Sequence, residues 1–191
     1  QESRQFQNAV TLAGAQSGVT ADTLMTLTHT VGSATGSISL AKDALLEMAK
    51  SGAIAAGDYE RMSTAIVMQS RATGQSVADL VREYSKIAED PVKAVVELSG
   101  KYRIMTADVY AQVKALQDQG RHQEAVRLVQ SKYADESESM ARRVTENLGL
   151  IEAGWQGIRN RANEAWEAIK RFGRDATLGE RMAELQAQIA G

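Results

Sequence analysis

Ser76-Val77-Ala78-Asp79-Leu80-Val81-Arg82-Glu83-Tyr84-Ser85-Lys86-Ile87-Ala88 carries the clearest structural signal in the chain. Val77, Leu80, Val81, Tyr84, Ile87 and Ala88 recur at steps of three and four, which puts them on one face of an α-helix. Ser76 stands ahead of them as a residue whose side chain can cap free backbone N–H groups. Capping and periodicity therefore agree. Just beyond, Asp90-Pro91 reads as an N-cap followed by proline at the first helical position, where its missing N–H does no harm. A helix through Val92, Val95, Val96 and Leu98 to Gly100 follows.

The same punctuation extends in both directions: Thr, Ser or Asp before an apolar period, and Gly after it. Toward the N-terminus, one helix spans Ser37 to Gly52 with Ala41, Leu45, Met48 and Ala49 on a face. Another starts at Asp58 and carries Met62, Ile66 and Met68 toward Gly74. A helix from Thr20 runs through Leu24, Leu27 and Val31 and stops in Gly32-Ser33-Ala34-Thr35-Gly36, read as a turn. The stretch before Thr20, with Phe6, Val10 and Leu12, fits no single class. Toward the C-terminus, Thr106 opens a helix with Val109, Val113 and Leu116 that closes at Gly120. The next starts near Arg121 and carries Ala125, Leu128, Val129 and Tyr133 toward Met140.

Beyond that point the apolar spacing changes. Val144, Leu148, Ile151, Trp155, Ile158, Ala162, Ala165, Ile169 and Phe172 alternate steps of four and three, the heptad pattern of a helix that packs along a partner. Gly149, Gly154 and Gly157 interrupt it, and each interior glycine costs about 1 kcal/mol relative to alanine. The seam therefore needs a neighbouring helix or a second copy. A last amphipathic stretch holds Leu178, Met182, Leu185 and Ile189. The expected fold class is all-α: a multi-helix bundle or array of short helices over residues 20–140, after an ambiguous lead-in at 1–19. Residues 141–191 follow as a longer amphipathic, heptad-patterned helix plus a C-terminal helix. Two short echoes, Ala34-Thr35-Gly36 with Ala72-Thr73-Gly74 and Val19-Thr20-Ala21-Asp22 with Met105-Thr106-Ala107-Asp108, fall at helix ends and reflect shared capping rather than a solenoid repeat.

With 191 residues the chain can bury a core, but only two Phe, two Trp and five Tyr are available, so that core should be thin. The 22 basic and 24 acidic residues leave a net charge of −2, which gives no global attraction for nucleic acid or anionic lipid. There are no cysteines, hence no disulfide framework or thiolate chemistry, and a reducing cytoplasm is compatible. No window approaches the ~18 apolar residues of a membrane-spanning helix, and Gln1-Glu2-Ser3-Arg4 begins no signal peptide. Without an initiator Met, and with a C-terminus inside a helical pattern, the chain reads as a piece of a longer one.

Reactive chemistry finds no pattern to rest on. His29 and His122 are far apart and neither has a His-x-x-x-His partner, so no metal site or cofactor is expected. Asp135, Glu136 and Glu138 lie with Ser137 and Ser139 on a polar helical run, read as a solvated face rather than a buried acid pair. Gly-rich phosphate loops and Gly-x-Ser-x-Gly are absent. Residues 72–84 resemble part of a helix-turn-helix, but Asp79 and Glu83 would repel phosphate. Gln119-Gly120-Arg121 to Ala125 resembles one turn of a tetratricopeptide repeat, which needs several. A weak basic patch, Arg159, Arg161, Lys170, Arg171 and Arg174 against Glu164 and Glu167, is most simply the flank of a coiled coil.

Several stretches taken together are more specific: Leu12-Ala13-Gly14 through Gly18-Val19-Thr20, Ala41-Lys42-Asp43-Ala44-Leu45-Leu46, Asp90-Pro91-Val92-Lys93, Gln119-Gly120-Arg121 through Ala125, and Ala165-Trp166 to Gly173-Arg174-Asp175. In this order they resemble the landmarks of the lambda-type tail length tape measure family. Ala13-Gly14-Ala15 departs from the family's Thr-Gly-Asn, and Arg174 stands where proline is usual. The resemblance implies a non-enzymatic virion protein that lies in the tail-tube lumen, is assembled in the host bacterial cytoplasm, sets tail length and leaves ahead of DNA. It implies the tail tube protein and tail assembly chaperones as partners; the heptad seam adds self-association. The alternatives are a helical protein–protein adaptor, or a DNA- or membrane-contacting module whose binding would fall on Arg171→Ala and Arg174→Ala.

Overall fold

The computed structural model describes the backbone of residues 2–13, 18–102 and 106–172, and side chains within 4–11, 18–100 and 106–149. Among the described residues there are eight α-helices, one 3-10 turn and no strand, so the protein is all-α. The helices are α1 (Glu2–Ala13), α2 (Ala21–Thr35), α3 (Ile38–Ser51), α4 (Tyr59–Thr73), α5 (Val77–Glu89), α6 (Pro91–Tyr102), α7 (Ala107–Asp118) and α8 (His122–Phe172), with the 3-10 turn Ala56–Asp58 before α4.

The starts are set by local chemistry. The hydroxyls of Thr20, Ser37, Ser76 and Thr106 accept N–H donors from Thr23, Leu40, Asp79 and Val109 at 3.2–3.4 Å. The Asp90 carboxylate accepts the Lys93 N–H at 2.9 Å, so proline at the head of α6 displaces nothing. Asp58 is different: its side chain makes no cap and instead receives Arg127 Nε at 3.0 Å.

The ends divide into two kinds. Gly36, Gly52, Gly74 and Gly120 adopt positive φ and close α2, α3, α4 and α7. At Gly120 the Arg121 N–H reaches the Leu116 carbonyl at 2.8 Å and the Gly120 N–H reaches Gln117 at 3.0 Å, a Schellman closure that launches α8. Gly32 and Gly100, in contrast, lie within helices. The turn expected over residues 32–36 is thus confined to its last residue. α6 continues past Gly100 to Tyr102, and the helix expected to end near Met140 continues to Phe172 through Gly149, Gly154 and Gly157.

α3 is the hub of the bundle and packs on α1, α2, α4 and α5; α6 rests on α5 and α7. Its inner face is Ala41, Ala44, Leu45, Met48 and Ala49, all fully buried, against Leu24 and Val31 of α2, Tyr59, Met62 and Ile66 of α4, and Leu80 and Tyr84 of α5. Alanine lets the helices approach closely, while each buried Leu, Ile or Met contributes roughly 1.5–3 kcal/mol. The stretch ahead of Thr20 joins in as α1, which buries Phe6 and Ala9. Three tyrosines, Tyr59, Tyr84 and Tyr133, supply most of the bulk that Phe and Trp do not. Val96, expected on a packing face of α6, is 58% exposed, and Met68 is half-buried.

Cα packing divides the chain between Thr145 and Glu146. The bundle belongs to the first unit; the second contributes the remainder of α8. The amphipathic stretch from Leu178 to Ile189, part of the first family-like landmark (residues 14–17) and Gly173-Arg174-Asp175 lie outside the described residues.

Candidate functional site

The packing seam begins where side chains are still described. Val144 is half-buried and Leu148 is 58% exposed. Ile151, Trp155, Ile158, Ala162, Ala165, Ile169 and Phe172 follow on the helical backbone of α8, but their side chains lie outside the described residues. The same holds for Arg159, Arg161, Lys170 and Arg171 of the basic patch, and Arg174 lies outside altogether.

What the fold does assemble is a polar seam where residues 122–145 of α8 meet α4 and α5. Gln130, 1% exposed, donates from Nε2 to the Ala53 carbonyl at 3.0 Å and to the Tyr84 carbonyl at 3.2 Å. Arg61 of α4 donates from Nη1 to the Ser131 hydroxyl at 2.7 Å and pairs with Asp135. Arg127 pairs with Asp58 at 3.0 Å. His122 donates from Nε2 to the Ala88 carbonyl at 3.0 Å, since a carbonyl can only accept, and its Nδ1 meets the Gln117 carboxamide. The ring therefore ties the ends of α5 and α7 to the start of α8.

The acidic run is correspondingly less solvated than its composition implies. Ser137 is buried and Asp135 engages Arg61, while Glu136 and Glu138 pair with Arg143 and Arg142 on α8 itself. Helical rotation turns one side of the run inward. His29 sits on the exposed face of α2.

Beneath these contacts lies a buried aromatic pair, Tyr84 and Tyr133, with ring centroids 5.1 Å apart and tilted by 59°. The Tyr84 hydroxyl, the Tyr59 hydroxyl and Gln69 Oε1 are buried with no hydrogen-bond partner. Burial pushes the Tyr59 hydroxyl up from 10.0 to about 12. Burial, with the neighbouring Tyr133 second, holds Tyr84 well above its ordinary value. Both remain neutral at physiological pH. None of these groups is a paired acid and base around a cleft. The recess between α5 and α6 is lined by Lys86, Glu89, Asp90, Lys93, Ala94 and Glu97, all but one of them charged, and of both signs. Among the described residues no group of three or more His, Asp or Glu is placed to hold a metal ion, and no helix is long and apolar enough to cross a membrane.

Gln69 and Gln130 were hidden by their type. Gln69 continues the inward row Tyr59, Met62, Ile66, and Gln130 lies between Val126, Val129 and Tyr133, so the helical period alone could have found both.

The family described as prophage tail length tape measure protein matches residues 1–114, more than half of the chain. The chain belongs to that family. Individual tape measure proteins are similar over almost the whole length. The one from Escherichia phage N15 is 24% identical over 182 residues, 95% of this chain and 22% of that protein. The one from Pseudomonas phage PAJU2 is 23% identical over 169 residues, 88% of this chain and 18% of that protein. The tape measure protein of Escherichia phage lambda is 24% identical over 183 residues, 95% and 21% respectively. The chain thus spans about a fifth of the length of the curated relatives it matches. No solved structure matches it.

Proposed function

We propose that this chain is one segment of a phage tail tape measure protein, a non-enzymatic helical component that helps set tail-tube length during assembly. The observation that carries this reading is the family match over residues 1–114, extended by relatives named tape measure protein across most of the remainder. Helix extends by about 1.5 Å per residue, but glycines close α2, α3, α4 and α7, so in this role the packed helices open or stack end to end inside the tube rather than form one rod. In this reading the segment occupies the tube lumen, contacts the tail tube protein and tail assembly chaperones, is made in the bacterial cytoplasm and leaves ahead of the DNA.

Self-association belongs to the same proposal. Its surface is the heptad row from Val144 to Phe172, with Leu148 exposed where the row begins.

In-frame deletion of the segment from the parent phage tests the role directly. Electron micrographs should show viable tails shortened in proportion to the residues removed; tails of unchanged length would exclude a ruler function.

A further inference from the structure

We propose that residues 122–145 of α8 form a releasable strap: this stretch separates from α4 and α5 while the packing of α2 to α5 stays intact, so the bundle opens in an ordered sequence. The inference does not depend on the tail role and stands on how the two halves of the core are held.

The core around α3 is closed by large apolar side chains. Leu45 and Met48 pack with Leu24, Tyr59, Met62, Ile66 and Leu80, all essentially without solvent contact. The strap buries smaller groups, Ala125, Val126, Val129, Ala134 and Ala141, and a single large one, Tyr133. Burial scales with area, so less apolar surface per residue must be uncovered to release it.

Its remaining attachments are polar and partly wet. Arg61 and Asp135 are 44% and 58% exposed in their side chains, and Arg127 is 56% exposed, so these pairs exchange readily with water. Two buried polar clamps remain: Gln130, which satisfies the Ala53 and Tyr84 carbonyls, and Gln69 of α4, whose Nε2 donates to the Tyr133 hydroxyl at 3.4 Å. Release also hydrates what burial leaves unmet, since Tyr84 packs at a tilt against Tyr133 and its orphaned hydroxyl, with Gln69 Oε1 on the same seam, would gain water partners. A hinge is already built at Gly120, where positive φ and the Schellman closure end α7, and the half-buried His122 bond to the Ala88 carbonyl just beyond it is a further polar attachment that parts on release.

Native-state hydrogen exchange on the full chain, read amide by amide in low denaturant, tests the order. Amides in 125–141 should exchange at least about tenfold faster than those of residues 44–49, through an opening that leaves the latter protected. Gln130→Ala and the exposed-site change Arg61→Gln should each accelerate exchange in 125–141 severalfold and leave residues 44–49 unchanged, whereas Tyr84→Phe should slow it by removing the hydration gain. Equal exchange of the two regions in the unmodified chain, or equal acceleration of both by Arg61→Gln, would overturn the strap.

Discussion

Gly32 and Gly100 occupy similar helical backbone and have opposite reasons to be glycine. A Cβ on Gly32 would lie 2.7 Å from Ile38 Cγ1 and 2.8 Å from the Ile38 Cα, where α3 begins against the end of α2, and backbone cannot step aside. A Cβ on Gly100 meets nothing within 4 Å. Gly32→Ala should therefore destabilise by about 1–3 kcal/mol through overpacking, while Gly100→Ala should stabilise by up to about 1 kcal/mol by restricting the unfolded chain. Urea midpoints that shift in the same direction for both would contradict this account. Tyr59 offers a second residue-scale test. Its hydroxyl titrates near 10.0 when solvated and near 12 in the fold, so below pH 10 both states are protonated and its contribution is complete. Between those values the unfolded chain ionises first, and stability is lost as pH rises through the folded pKa. Tyr59→Phe should be no less stable at neutral pH, because it removes an orphaned hydroxyl, and its unfolding free energy should decline less steeply between pH 10 and 12.

Individual elements owe their boundaries to short-range chemistry and their existence to packing. α5 shows both. Ser76 accepts the Asp79 N–H at 3.2 Å and donates to the Asp79 carboxylate at 2.6 Å, fixing the first turn, while Val77, Leu80, Val81, Tyr84 and Ile87 face α3 and α8. Loss of the cap alone through Ser76→Ala should cost about 1 kcal/mol in thermal or urea unfolding without changing the helical spectrum. At the other end of α2, Arg71 of α4 donates to the Thr35 carbonyl and so places a cation at the C-terminal pole of α2, the favourable end of its dipole. A helix C-terminus is thereby completed by a residue far along the chain. No reading of α2 in isolation would supply it.

At the scale of the whole molecule, the stability of the bundle rests on apolar packing around α3 and only weakly on its ion pairs, most of which link residues three or four apart on one helix and are exposed. Self-association through the row from Val144 to Phe172 is a proposal at this scale. With Leu148 58% exposed, the proposed seam should drive concentration-dependent association, and Leu148→Asp combined with Ile158→Asp should leave a monomer. Sedimentation velocity over a hundredfold range of concentration checks this, and a wild-type chain that stays monomeric throughout would remove the seam as an association surface.

Helix class, the hydroxyl caps at Thr20, Ser37, Ser76 and Thr106, the Asp90-Pro91 start and the glycine ends at Gly52, Gly74 and Gly120 were legible in the amino-acid order, because each depends on groups within a few residues of one another. Family membership was legible too, through landmarks spread along the chain. Tertiary structure alone decided that Gly32 is a point of close approach rather than a turn. It alone decided that Asp58 and Asp135 serve arginines on other helices. Those outcomes depend on which neighbour arrives at a given face, and that information lies in contacts between residues tens of positions apart.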